Sequence, residues 1–406
     1  MRNRFILIFF FSITLSFSQS VEGVVLDSIT GVGIADVHVQ SLSGNHGTIT
    51  NEEGRFRIIN SSNEKDSLRI SHIGYEVLEL SVKEFSINYS DTLYLKPNLL
   101  ELQGVTVTND GVSEMIRDIM ETLKKSQIRN SYAFYRQTSF KDTIAMEWIE
   151  AFYKITHSKN GIDKIKIDQA RFARKRSDST SLFLIHSNFS SLTLTPQLYS
   201  PVLKTNEVTV GKPFGESFIK NYQFYIEKSY QKNKSTYHEI HFEPDDDITN
   251  PINSYGSFVY IPSEKKLVQY TVFIDHALGS DDLSNYKGDK KLAIDNARHK
   301  LQFNYSEITG HLDFINVEYF YDFIENDVVF PCRVASKFII YKNAIKPHKK
   351  LRTSSLELED VRNFEKAKYK PRFWRDNPVI YRTERENLII SSFEKENAFG
   401  TYFKGN

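Results

Sequence analysis

The fold is decided by the stretch Val21-Glu22-Gly23-Val24-Val25-Leu26-Asp27-Ser28-Ile29-Thr30-Gly31-Val32-Gly33-Ile34. Its first half is a β-branched run of strand length, and its second half is turn chemistry. Asp27 can accept hydrogen bonds from the amides that follow it, and Gly31 can take a positive φ. The same unit recurs downstream: Val37–Gln40, Arg55–Ile59, Ser67–Ser71, Val77–Val82 and Thr92–Leu95 alternate, with turn residues between them. Asn51-Glu52-Glu53-Gly54 reads as a second turn, with Phe56 as the first inward side chain beyond it. Gly74 before Tyr75 reads as a close strand approach or a bulge. Short strands at this spacing predict a small β-sandwich over residues 21–97.

These positions also carry a resemblance. The runs Gly23-x-Val25-x-Asp27-x-x-Thr30-Gly31, Gly33-Ile34-x-x-Val37-x-Val39, Gly47-Thr48-x-Thr50-Asn51-x-x-Gly54-x-Phe56 and Ser71-x-Ile73-Gly74-Tyr75 are together similar to the carboxypeptidase regulatory-like domain. The resemblance implies a transthyretin-like sandwich, a non-catalytic accessory module of exported proteins and outer-membrane transporters. Gly31, Gly54, Phe56, Gly74 and Tyr75 would then be structural residues.

A zinc peptidase does not follow from that name. None of the 11 histidines has a Glu three residues later, so the His-x-x-Glu pair of zinc carboxypeptidases is missing. His238-Glu239-Ile240-His241 fails the His-Glu-x-x-His spacing as well. It lies in an alternating segment that sends the two imidazoles to opposite faces of a strand. No metal or cofactor is expected.

Upstream, Arg2 and Arg4 precede an apolar run from Phe5 to Phe11, and a small-x-small site follows at Ser16-Phe17-Ser18. This predicts a secretory signal over residues 1–18 and export to the periplasm or the outer membrane. No Cys stands near that site to take a lipid. Losing Arg2 and Arg4 turns the formal charge from +1 to −1, so no global charge draws the chain to nucleic acid. The single Cys excludes an internal disulfide framework.

Downstream, residues 98–130 read as a linker strand (Leu99–Thr108) and a helix. Val112, Met115, Ile116, Ile119, Met120 and Leu123 fall at helical spacing, with Ser113 as the N-cap. That stripe predicts packing against the next domain, with partner binding as the alternative. From Ser131 onward, ten alternating segments end with Ala335–Tyr341, and aromatics make up 13% of the chain. Residues 131–406 are therefore expected to form a large antiparallel β domain, a curved sheet or half-barrel, and the chain to be mainly β. Residues 181–220 read as a lid or crossover packed on that sheet. Tyr132, Phe134 and Tyr135, Phe242-x-Pro244, Gly256-x-x-Val259-Tyr260-Ile261 and Phe373-Trp374 resemble an uncharacterised Gram-negative envelope family. The sheet as a whole resembles the half-barrel of lipoprotein carriers.

No catalytic motif emerges. Carboxylates such as Glu147, Glu150, Asp163 and Asp168 are frequent, but nothing marks a pair among them. Asp245-Asp246-Asp247 could offer oxygen ligands to Ca²⁺, yet no Gly or bidentate Glu completes a loop. Cys332, in Val328-Val329-Phe330-Pro331-Cys332, reads as a buried inert thiol. Residues 341–375 hold eleven Lys/Arg against four Asp/Glu. Within them Lys349, Lys350, Lys368, Lys370, Arg372, Trp374 and Arg375 form a candidate anionic-interface patch; solvated lysines are the alternative. The expectation is a non-enzymatic exported envelope protein. It would bind a partner protein or an apolar or lipidic ligand, with an outer-membrane protein or envelope lipid as partner and peripheral membrane contact. A hydrolase with its site in the β domain, and an adaptor docking on an outer-membrane transporter, are the alternatives.

Overall fold

The computed structural model describes residues 20–43, 46–59, 66–89, 91–98, 109–174, 197–199, 214–232, 234–245, 253–275, 292–353, 364, 369–377 and 379–400. The expected secretory signal over residues 1–18, Leu99–Thr108, Asp246–Asp247 and most of 181–220 lie outside the described residues. Among the described residues no helix is long and apolar enough to cross a membrane.

Two sheets build the N-terminal sandwich. One has the order β4 (Arg55–Ile59), β1 (Ser20–Asp27), β7 (Thr92–Leu95); the other runs β3 (Gly47–Ile49), β2 (His38–Ser41), β5 (Ser67–Ser71), β6 (Leu78–Ser81). Val25, Val37, Val39, Phe56, Leu68, Ile70 and Leu93 fill the space between them and are fully buried. The expected turns form. Asp27 Oδ1 accepts from the amides of Ile29 (2.7 Å) and Thr30 (2.9 Å), and its Oδ2 accepts from the Tyr75 hydroxyl (2.8 Å). Gly31 has φ +68°. Gly74 differs from its reading: a Cβ there would meet nothing, and what it supplies is a φ of +86° rather than close packing. Val82, read as the end of a strand, instead begins helix α1 (Val82–Asn88), closed by a capping box between Ser81 and Glu84.

Gly54 combines both needs of a glycine. Its φ is +77°, and a Cβ would stand 2.3 Å from the Val25 carbonyl oxygen. Gly54→Ala is expected to cost about 2 kcal/mol, read as a lowered urea midpoint with an unchanged slope.

Helix α2 (Asn109–Lys124) begins three residues earlier than its apolar stripe suggested, which places Ser113 inside the helix rather than at its cap. Beyond it lies one eleven-stranded sheet in the order β11-β12-β13-β14-β15-β16-β17-β8-β9-β10-β18. The strands are β8 (Arg129–Lys141), β9 (Ile144–Ser158), β10 (Gly161–Arg174), β11 (Tyr222–Lys232), β12 (Ser235–Pro244) and β13 (Asn253–Ile261). They continue with β14 (Lys266–Asp275), β15 (Leu292–Tyr305), β16 (Leu312–Glu325), β17 (Val328–Asn343) and the two-residue β18 (Arg352–Thr353). All ten segments expected from the sequence are strands, each longer than its alternating centre. Every neighbouring pair is antiparallel.

The sheet curls into a half-barrel. The Tyr305 hydroxyl donates to the Lys159 carbonyl at 2.7 Å. Four strand spacings separate β15 from β9, about 19 Å in a flat sheet. The concave side is lined by Tyr135, Tyr153, Phe172, Phe242, Phe258, Tyr270, Phe303 and Phe338, and α2 lies in it. Val112, Ile116, Ile119 and Leu123 of α2 are all buried there, so the stripe packs within the chain. Phe214 and Phe218, the latter in α3 (Glu216–Asn221), close one side of the same core.

The convex side carries the sandwich and the C-terminal helices α4 (Pro371–Asp376) and α5 (Glu384–Lys395). These helices lie beyond Tyr341, where the last alternating segment ends; α5 is announced by a Thr383–Glu386 capping box. Ile49 packs with Phe134, Ile339, Trp374 and Val379. The Thr48 hydroxyl donates to the Val379 carbonyl (2.6 Å), and Asp36 pairs with Lys337 (2.5 Å) and accepts from Asn316 (2.9 Å). His38 meets Asp313 at 2.9 Å, and the Lys232 ammonium donates to the His72 carbonyl at 3.0 Å. The sandwich is thereby tied to the sheet at several points.

Candidate functional site

Between the sandwich and the convex face lies a cleft of about 360 Å³, lined by Tyr132, Phe152, Tyr341, Lys342, Asn377, Val379, Arg57, Ile58, His46 and Gly47. Strand pleating explains its floor. Tyr132 and Phe134 on β8, Phe152 on β9, and Ile339 and Tyr341 on β17 rise on one face of three adjacent strands. The rings meet edge-on: Phe152 lies 5.9 Å from Tyr341 and 5.4 Å from Phe373, and Tyr132 lies 4.9 Å from His348. Strands β3 and β4 of the sandwich supply the facing wall. Arg57 is paired with Glu22 at 3.1 Å, and Lys342 stands at the rim.

The candidate patch divides on the structure. Lys349 and Lys350 are exposed in the turn region after β17, next to His348 and its Tyr132 contact; Lys370, Arg372 and Arg375 are exposed on or beside α4. Lys368 lies outside the described residues. Trp374 does not belong to an exposed surface: it is 1% accessible, packed on Phe152 at 5.5 Å and beneath the Arg171 guanidinium at 5.0 Å. The half-turn from Arg372 to Trp374 points the ring inward while the flanking arginines stay in water. The sequence reading missed Tyr132, Phe152, Lys342, His46 and Arg57 as a group, because they come from three distant segments.

Beside this cleft, across the backbone bridge between His46 and Lys342, lies a second one of about 270 Å³. It includes Arg69, Arg129, His157, His311, Asp313 and Asn343. Burial, with His311 and Arg129 nearby, pushes His157 down to about 3; burial, with Arg129 and Lys159 nearby, pushes His311 down to about 4. Both imidazoles are neutral at pH 7.

The carboxylates noted in the sequence hold the sheet together. On the convex face Glu150 is wholly buried between its cross-strand neighbours Arg136 (2.9 Å) and Arg171 (2.5 Å). Burial pushes its pKa up, but Arg171, Arg136 and Arg382 outweigh that and hold it far below the usual carboxylate range. Three residues back, on the concave face, Glu147 accepts from Arg174 (2.6 Å) and Gln137 (2.7 Å). Asp168 pairs with Lys154 at the surface (2.7 Å), and burial pushes Asp163 up to about 6. Cys332 is 4% accessible, and burial pushes its thiol up to about 12. His238 Nδ1 bonds the Ser229 hydroxyl (2.8 Å), whereas the His241 ring lies tilted against Tyr225, 4.8 Å between centroids. Among the described residues no three His, Cys, Asp or Glu side chains converge as metal ligands.

No curated protein matches the chain. Similar solved structures include a LolA superfamily protein from Nitrosomonas europaea, at 10% identity and a TM-score of 0.21, over 60% of this chain and 96% of that one. They also include a domain assigned as an outer membrane lipoprotein-sorting protein from Vibrio parahaemolyticus, at 12% identity and a TM-score of 0.20, over 63% of this chain and 95% of that one. At such TM-scores the likeness carries no argument. Residues 21–107, the sandwich and the segment after it, match the CarboxypepD_reg-like domain.

Proposed function

We propose that the chain is a non-enzymatic, exported envelope protein that binds an apolar or lipidic ligand in the cleft between its sandwich and the convex face of its half-barrel. The observation that carries this reading is the aromatic floor of Tyr132, Phe152 and Tyr341, which faces an opening of about 360 Å³. Ligand sites combine apolar walls with a few polar groups at the rim, and this cleft has both. The buried ionisable groups argue in the same direction. Glu147 and Glu150 are saturated by arginines, and Cys332 is held as a thiol, so the most deeply buried of these groups are committed to structure. The contacts of Thr48, Asp36 and His38 with the rest of the chain make the domain pair, rather than either part alone, the binding unit. The basic start and apolar run of residues 1–18 support export, and the basic residues near the cleft mouth suit the anionic surfaces met there.

Organic extraction and mass spectrometry of the mature protein, purified gently from the cell envelope, tests the proposal. A lipid in near-stoichiometric amount is expected, reduced at least fivefold in Tyr132→Ala. A protein that is empty yet still sediments with the outer membrane would overturn ligand binding in favour of docking on another protein.

A further inference from the structure

The two clefts share His46, Gly47, Tyr341 and Lys342, and differ in the chemistry of their walls. One is walled by Tyr132, Phe152, Ile58 and Val379. The other is walled by Arg69, Arg129 and Lys342, with Asp313 as its one carboxylate. Asp313 is engaged by His38, and Arg69 by Glu79 at 2.8 Å. Among the described residues the side chains of Arg129 and Lys342 have no acidic partner. His157 lines the same cleft at 2% accessibility, its Nε2 bonded to the Ser131 hydroxyl at 3.0 Å, and it adds no negative charge. Two cations without an acidic partner at one cleft form an electrostatic match for an anion, which guanidinium and ammonium donors bind with charge-assisted hydrogen bonds.

We propose that the two clefts form one groove for a single-chain anionic amphiphile, its hydrocarbon chain on the Tyr132–Phe152 floor and its acidic head group against Arg129, Lys342 and Arg69. The proposal deepens the functional reading and rests on it. The shared Tyr341–Lys342 strip is where the chemistry changes. Tyr341 offers a ring to the chain, and the next residue offers an ammonium to the head. A carboxylate and a phosphate are served by the same donors, because guanidinium groups bind either in bidentate fashion. A ligand with a cationic or uncharged head would leave the basic half unanswered.

The test is calorimetric titration of the whole mature protein, stripped of lipid, with dodecanoate, dodecyl phosphate, dodecanol and inorganic phosphate, each below its micellar concentration. The two anionic amphiphiles are expected to bind at least tenfold more tightly than dodecanol, with the stronger of them identifying the head group. The double variant Arg129→Gln/Lys342→Gln should weaken both anions ten- to hundredfold and leave dodecanol unchanged. Tyr132→Ala should weaken all three chain-bearing probes. Equal binding of dodecanol and dodecanoate, or an unaffected double variant, would overturn the head-group assignment while leaving an apolar ligand site. Inorganic phosphate binding as tightly as dodecyl phosphate would overturn the amphiphile in favour of a free anion. If no chain-bearing probe binds, the functional reading falls with the inference.

Discussion

Replacing Glu150 by glutamine is expected to lower the stability of the protein by about 3–5 kcal/mol, the cost of breaking a buried ion pair from one side. The carboxylate is fully buried. It faces Arg136 and Arg171 at 2.9 and 2.5 Å, with the Arg382 guanidinium 3.7 Å away. Glutamine keeps the volume but leaves these guanidinium groups without their shared counter-charge. Glu386, at 3.2 Å from Arg136, answers only one of them. The loss should reach the C-terminal segment first. Arg136 also donates to the Ile380 carbonyl at 2.9 Å, so the cluster fastens the approach to α5 onto β8. Thermal unfolding monitored by circular dichroism should fall by about 10 °C, and limited proteolysis should cut within residues 371–400 before the sheet is attacked. Lys154→Ala is the control. It removes an ion pair on the same strands, but Lys154 and Asp168 are 33% and 46% accessible, and exposed pairs contribute within about 1 kcal/mol. Equal effects of the two substitutions would refute the clamp.

That cluster also shows how far the sequence could be read. The period-two alternation marked ten of the eleven strands, all but the two-residue β18, because half of each long strand faces an apolar layer whatever its partner. Alternation cannot tell that both faces are covered. β9 is buried along nearly its whole length, with Glu150 turned to the convex side and Glu147 to the concave side, and nothing in the sequence set either apart from the chain's other carboxylates. Their arginines lie on neighbouring strands in register, a relation that exists only once the strands pair. The sandwich was legible for the opposite reason. Its turns are local, so Asp27, Gly31 and Gly54 announce their own backbone needs. The capping boxes at Ser81 and Thr383 were equally local and were passed over, which is why neither α1 nor α5 was foreseen. The cleft was not legible at all. Tyr132 and Phe152 became its floor through strand pairing, and Arg57 and His46 reached it only because the sandwich docks on the convex face. Trp374 shows the same limit from the other side: an aromatic among cations looks like an interface until its ring is seen to fill the layer below.

The buried histidines set the second large effect, a loss of stability on mild acidification. Burial pushes His299 down to about 4, and burial with His311 and Arg129 nearby takes His157 to about 3, while the ordinary value is 6.5. A base whose folded pKa is depressed favours folding fully above the unfolded value. That contribution is lost as the pH falls from 6.5 toward the folded pKa. Each such group removes up to about 1.4 kcal/mol per pH unit in that window and half that at its upper end, so His157 and His299 together remove about 3 kcal/mol between pH 6.5 and 5. His72, His238 and His311, also pushed down by burial, act with the same sign. Asp163 acts against them. Burial raises its pKa to about 6, so its protonation returns about 1 kcal/mol over the same window. Glu150 adds nothing there, since a depressed carboxylate loses its contribution only below the unfolded carboxylate range. The net expectation is a fall of about 3 kcal/mol, measured by urea unfolding at pH 7.5, 6.5, 5.5 and 5.0. His299→Leu removes one titrating group and, with the His299 Nε2 unpartnered, no hydrogen bond at that atom. It should flatten the slope by up to about 1.4 kcal/mol per pH unit. A wild-type stability that is level from pH 6.5 to 5, or a slope that survives His299→Leu unchanged, would mean that these imidazoles open to water before they are protonated.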